Sequence, residues 1–77
     1  MMDIRETLAA NLRRHRQAAG MSQEELAYRA GVDRTYVSSL ERSRYGATID
    51  VVDRLAKELG MEASDLLLRA KGPEAGK

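Results

Sequence analysis

The sequence predicts an all-α domain of five helices, two of them short and joined by a glycine turn. Three observations carry that prediction. Apolar residues recur at spacings of three and four, and no stretch longer than four residues alternates apolar with polar. Good helix-start residues precede the periodic stretches at Asp3, Ser22, Asp33 and Thr48. Glycine follows three of those stretches, at Gly20, Gly31 and Gly60.

The first helix should run from about Ile4 to Ala19. Asp3 and Glu6 make a box-like start, and Gly20 ends it. At about 100° of rotation per residue, Ile4, Leu8, Leu12, His15 and Ala19 share one stripe. The second helix begins at Ser22-Gln23-Glu24-Glu25, a full capping box in which Glu25 reaches back. Its buried stripe is Leu26, Ala27 and Ala30, and it stops near Arg29 or Ala30. Gly31 then supplies the positive φ of a tight turn. Asp33 caps a third helix from about Arg34 to Arg42. Val37 and Leu40 point one way; Thr35, Ser38, Ser39 and Arg42 point the other, with Arg34 on the shoulder.

Thr48 caps a fourth helix from about Ile49 to Leu59, after a loop from Ser43 to Ala47. Ile49, Val52, Leu55, Ala56 and Leu59 make its apolar face. A fifth helix should span about Ala63 to Lys71, with Ala63, Leu66, Leu67 and Ala70 as its stripe and Leu68 off it. Residues 72–77 read as a flexible tail after a single 1–71 domain.

Composition removes several function classes. With no Cys there is no disulfide framework, thiol nucleophile or cysteine zinc site. One His cannot build a multi-histidine metal centre, so neither metal nor cofactor is expected. The longest Leu/Ile/Val/Met run is Leu66-Leu67-Leu68, far below the roughly 18–20 residues that cross a bilayer. The N-terminus turns polar at once, which predicts no signal peptide, no membrane partner and a cytoplasmic protein. A helical domain this small has little room for a pocket of about 300 Å³, so an enzyme is not expected. Its core alone supplies only about 3–5 kcal/mol, which makes oligomerisation the expected reinforcement.

Two short helices joined by a glycine turn form a helix-turn-helix. Ser22 to Arg42, S-Q-E-E-L-A-Y-R-A-G-V-D-R-T-Y-V-S-S-L-E-R, resembles that of the phage-repressor and Cro-like regulators. The flanking L-R-R-H-R-Q-A-A-G-M and I-D-V-V-D-R-L-A-K-E-L-G also fit, so the resemblance covers about residues 4 to 68. Within that family, A-Y-R-A-G-V-D-R-T-Y-V-S is similar to the controller proteins of restriction–modification systems.

The resemblance implies a dimeric transcriptional regulator on double-stranded DNA, its third helix in the major groove. The positions matching base contacts are Arg34, Thr35, Ser38 and Ser39. Their chemistry agrees: Arg donates bidentately to guanine, and Ser and Thr bond either edge. Gln23 matches a phosphate contact at a helix N-terminus. Arg42, Arg44 and Tyr45 match a stretch that runs along the DNA backbone, although Gly46-Ala47 replaces the usual Asn-Pro there. Tyr28 is either a phosphate ligand through its hydroxyl or a rim residue. Tyr36 is expected half-buried, its hydroxyl toward the backbone. Arg16 and Glu41 match a structural ion pair. The family's C-terminal interface, with the off-stripe Leu68, implies a homodimer through Met61, Leu67 and Leu68. RNA polymerase is a further candidate partner. The competing class is a small interaction module, an antitoxin or regulator-binding protein on the same fold.

Thirteen Lys/Arg oppose twelve Asp/Glu, for a net charge of +1. Residues 1–20 carry four basic and two acidic groups, residues 21–47 four and four, and residues 48–77 five and six. The neutral middle segment holds Arg34, Arg42 and Arg44, whereas its acids stand at cap and pairing positions. Such a chain should attract DNA weakly in general and depend on base readout and dimerisation.

Overall fold

All but the last helix of this protein begin where a short polar side chain takes an otherwise orphaned backbone N–H. In the computed structural model, which describes residues 3–69, five helices follow one another. They are α1 (Ile4–Ala18), α2 (Gln23–Ala30), α3 (Arg34–Glu41), α4 (Ile49–Glu58) and α5 (Ala63–Leu66). Asp3 and Glu6 form a reciprocal capping box on α1. Ser22 Oγ accepts the Glu25 N–H at 3.0 Å, Asp33 the Thr35 N–H at 3.1 Å, and Thr48 the Val51 N–H at 3.2 Å. The Glu25 carboxylate does not close a box on Ser22. It turns to Arg29 one turn later, at 2.7 Å, because a full charge is the stronger partner.

Helices α1 to α4 end alike. A residue with left-handed φ follows each: Gly20, Gly31, Ser43 and Gly60. The next residue then donates its N–H five positions back: Met21 to Arg16, Val32 to Ala27, Arg44 to Ser39 and Met61 to Ala56, at 2.9–3.1 Å. These are Schellman turns, and in three of them the donor is apolar and packs on the core. The turn after α3 differs twice. Its left-handed residue is Ser43, φ 60°, and its donor is the exposed Arg44. No Gly or Asn marks that turn in the sequence.

Each helix sends one leucine to the centre. Leu12, Leu26, Leu40, Leu55 and Leu66 are all 1% exposed or less. Val37, Val52, Ala27 and Ala56 fill between them. α2 packs on α3 and α4, α1 on α3 and α5, and α4 on α5, so α3 is held from behind by α1 and α2.

Several expected faces are corrected. Ile49, the first residue of α4, is 80% exposed. Leu59 is half-buried and packs on the core, and so does Val51, which the pattern left off that face. On α1, Ile4 and Ala19 are exposed, while His15 is half-buried on the expected stripe; Thr7, Leu8, Ala9, Asn11 and Leu12 are the buried residues. α5 stops at Leu66 rather than Lys71, since Asn11 Nδ2 donates to the carbonyls of Leu66 and Leu68, both at 2.9 Å. Those carbonyls are thereby satisfied outside a helix. Residues 70–77, including the expected helix end and tail, lie outside the described residues.

Left-handed φ costs a non-glycine residue about 1–2 kcal/mol, part of which glycine's greater unfolded entropy returns. Ser43→Gly should therefore raise stability by about 0.5–1 kcal/mol. Gly31→Ala, whose added Cβ would meet Arg54 Nη1 only at 3.6 Å, should lower it by a similar amount. Urea unfolding midpoints of the two variants check both signs.

Candidate nucleic-acid interface

A buried carboxylate at the end of α3 sets the geometry of the candidate site. Glu41 is 4% exposed, and a charge so placed must be matched by donors. Three side chains converge on it. Arg16 of α1 grips both oxygens, Nε to Oε2 at 2.6 Å and Nη2 to Oε1 at 3.0 Å. Gln23, the first residue of α2, donates Nε2 to Oε1 at 3.0 Å. Arg13 Nε stands 3.8 Å from Oε1, and its Nη2 reaches the Glu41 carbonyl at 3.2 Å. Arg16 Nη1 also bonds the Met21 carbonyl at 2.8 Å, holding the α1–α2 turn. One carboxylate thus joins α1, the start of α2 and the end of α3. Its hydrogen bond holds the Arg16 guanidinium above the usual arginine value, against the smaller opposing effect of burial. A raised arginine pKa stabilises the fold fully below the unfolded value, so Arg16 adds no pH dependence near neutrality.

On this frame α3 turns its N-terminal outer surface to solvent. Arg34 and Thr35 are exposed and Ser38 half-buried. Ser39, expected on the same face, is 7% exposed. The chain folds back over it at the Ser43 turn, where its carbonyl receives the Arg42 and Arg44 N–H groups. A helical wheel carries no information about a segment that returns onto the helix. Arg42, Arg44 and Tyr45 stand exposed just beyond, Tyr45 at 57%.

On α2, Tyr28 is 85% exposed. Tyr36 is half-buried against the core. Gln23 is half-buried; one N–H of its amide serves Glu41, and its backbone N–H at the helix start is a further donor toward an anion. At the other end of α2, Arg54 Nη1 donates to the Ala30 carbonyl at 3.3 Å and braces the turn into α3.

Among the described residues, the ion pairs engage Arg13, Arg16, Arg29 and Lys57. Arg34, Arg42 and Arg44 enter none of these pairs and are exposed on or just after α3. A chain of net charge +1 therefore presents uncompensated cations where α3 and its following turn meet solvent. Sequence reasoning missed Arg13, although its place one turn before Arg16 was a signal. It also missed Asn11, a polar residue between two core leucines.

The remaining site residues lie elsewhere. Met61 is the apolar donor of the turn after α4, half-buried on the core, and Leu67 also packs there. Leu68 alone of the three is exposed, at 60%. No helix among the described residues is long and apolar enough to cross a membrane.

Comparison with known proteins places this geometry in a family. The helix-turn-helix domain family matches residues 7–69. A hypothetical transcription factor of Neisseria meningitidis serogroup B is 47% identical over 66 residues, 86% of this chain and 62% of the relative. The chain thus spans less than two thirds of that relative's length. Control protein C.SmaI of Serratia marcescens is 43% identical over 68 residues, 88% of this chain and 81% of that protein. The crystal structure of the restriction-modification controller protein C.AhdI from Aeromonas hydrophila superposes with a TM-score of 0.78 at 35% identity. That match covers 80% of this chain and 94% of C.AhdI.

Removing one partner of the buried cluster should be costly. Arg16→Ala leaves Glu41 short of its main donor and should destabilise by about 3–5 kcal/mol. Arg13→Ala, removing a half-exposed partner, should cost about 1 kcal/mol or less. Denaturant unfolding of the two variants tests this order.

Proposed function

The chain belongs to the helix-turn-helix domain family, and on that premise we propose a sequence-specific, DNA-binding transcriptional regulator that acts as a homodimer on a near-palindromic operator. The observation that carries this reading is the exposed, unpaired set Arg34, Arg42 and Arg44 on and after α3. The likeness to a control protein and to a restriction-modification controller protein supports it.

The α3 N-terminus enters the major groove. Arg34 donates to guanine O6 and N7, and Thr35 and Ser38 bond neighbouring base edges. Ser39, nearly buried, sets the turn more than it reads bases. Arg42, Arg44 and Tyr45 follow the phosphates on one side of the groove. On the other side, the backbone N–H of Gln23 and the Tyr28 hydroxyl hold the neighbouring strand. Tyr36 backs α3, with only its hydroxyl available to the DNA backbone. Glu41 and its donors fix the spacing between the α2 start and the α3 end, so base and phosphate contacts form in one register.

Dimerisation uses the surface after α4, with Leu68 outermost and Met61 and Leu67 as its core-side support. Two α3 helices then reach major grooves about 34–36 Å apart. The protein works in the cytoplasm by binding rather than by catalysis, and needs no cofactor. Bound beside a promoter it either blocks RNA polymerase or touches it.

Selection of bound sequences from a random DNA pool should return a near-palindrome with half-sites one helical turn apart. Arg34→Ala should then lose about 1–3 kcal/mol at its cognate base and relax specificity there. Equal affinity of variant and parent for the selected operator would remove Arg34 from the reading set. Arg44→Ala should weaken binding to all sequences alike and lower the salt slope by about one.

A further inference from the structure

Asn11 is a buried side chain that neither the DNA face nor the apolar core explains. It lies on α1 between Leu8 and Leu12 and is 4% exposed. Its Nδ2 donates to the Leu66 and Leu68 carbonyls, each at 2.9 Å and more than fifty residues along the chain. Its Oδ1 accepts Arg14 Nη2 at 2.9 Å. The amide therefore joins two features of the same surface. One is Arg14. The other is the segment beyond α5, where the helix no longer holds the backbone and the Leu68 N–H reaches Asp65 only at 3.4 Å.

Those features lie side by side. Arg14, Leu59, Met61, Asp65 and Leu68 line one open groove. Leu68 supplies an exposed apolar knob, with Leu59 and Met61 half-buried beside it. Arg14 and Arg69 put cations and Asp65 an anion on the same patch, which His15 also lines. A two-fold contact sets the same surface against itself, so the Arg14 of one copy can meet the partner's Asp65.

We propose that Asn11 is a positioning residue for self-association: it fixes Arg14 and the non-helical end that carries Leu68 so that a second copy of this chain docks on them. The proposal rests on the dimer reading above and adds the group that organises the interface. An apolar residue at position 11 would fill the space but leave two carbonyls without donors, and the segment would lose its single arrangement. Buried polar groups fix one register over another in other assemblies.

The test is a double-mutant cycle on the full chain: parent, Asn11→Ala, Leu68→Ala and the double variant. Dimer dissociation is read by sedimentation, and DNA affinity on a single half-site by anisotropy. Each single variant should weaken the dimer about tenfold, and the double variant no more than about tenfold. Half-site affinity should match the parent's in all four, which a merely structural role for Asn11 would not allow. Parent-like dimerisation of Asn11→Ala, or losses that add in full, overturns the proposal while the dimer reading stands. A parent that is monomeric where it binds its operator overturns the dimer reading and the proposal with it. If circular dichroism shows Asn11→Ala unfolded, Asn11→Ser, too short to reach both carbonyls, takes its place in the cycle with the same outcomes.

Discussion

The rest of the structure depends on one buried carboxylate. Glu41 closes α3 in a place where its charge has no access to water, so donors must come to it. They come from α1 through Arg16 and Arg13, and from the first residue of α2 through Gln23. Two helices that meet only through apolar contact could slide by a fraction of a turn at small cost. A bidentate guanidinium cannot, because its two bonds are directional. The cluster therefore specifies where α3 ends relative to where α2 begins, the two places from which the proposed phosphate contacts of Arg42, Arg44 and Gln23 project.

The helix ends supply the second constraint. Four Schellman turns fix the directions of the connections, and three anchor themselves with an apolar side chain on the core. After α3 the anchor is missing and an arginine stands in its position. The turn costs backbone strain at Ser43 and leaves Arg44 in solvent. The same local motif serves packing three times and exposes a cation once. That one occurrence lies on the proposed DNA side, which links a helix-ending rule directly to function.

Most of the fold was legible because helix signals are local. Asp3, Ser22, Asp33 and Thr48 cap the helices they precede, and Leu26, Ala27, Ala30, Val37 and Leu40 are buried as their spacing requires. The exposure of Arg34 and Thr35, on which the proposed site rests, was legible for the same reason: Thr35 lies opposite the apolar stripe of a short helix and Arg34 on its shoulder. Where reading fell short, the deciding group was mostly distant in sequence: Gln23 bonds a residue eighteen positions on, and an amide from α1 takes the carbonyls at the end of α5. Ser39 is the local exception, buried beside the turn at Ser43.

By itself the sequence determined an all-α chain, the start of each helix, the glycine turn between α2 and α3, and a polar, basic outer surface on α3. Each follows from residues within about four positions of one another, the range over which helical periodicity and capping act. Tertiary structure alone decided which apolar residues find a cover. Ile49 has the right phase and stays in water, while Asn11 has the wrong polarity and is buried. Periodicity states which face of a helix is apolar. Whether another element arrives there, and with which donor, depends on contacts between residues tens of positions apart.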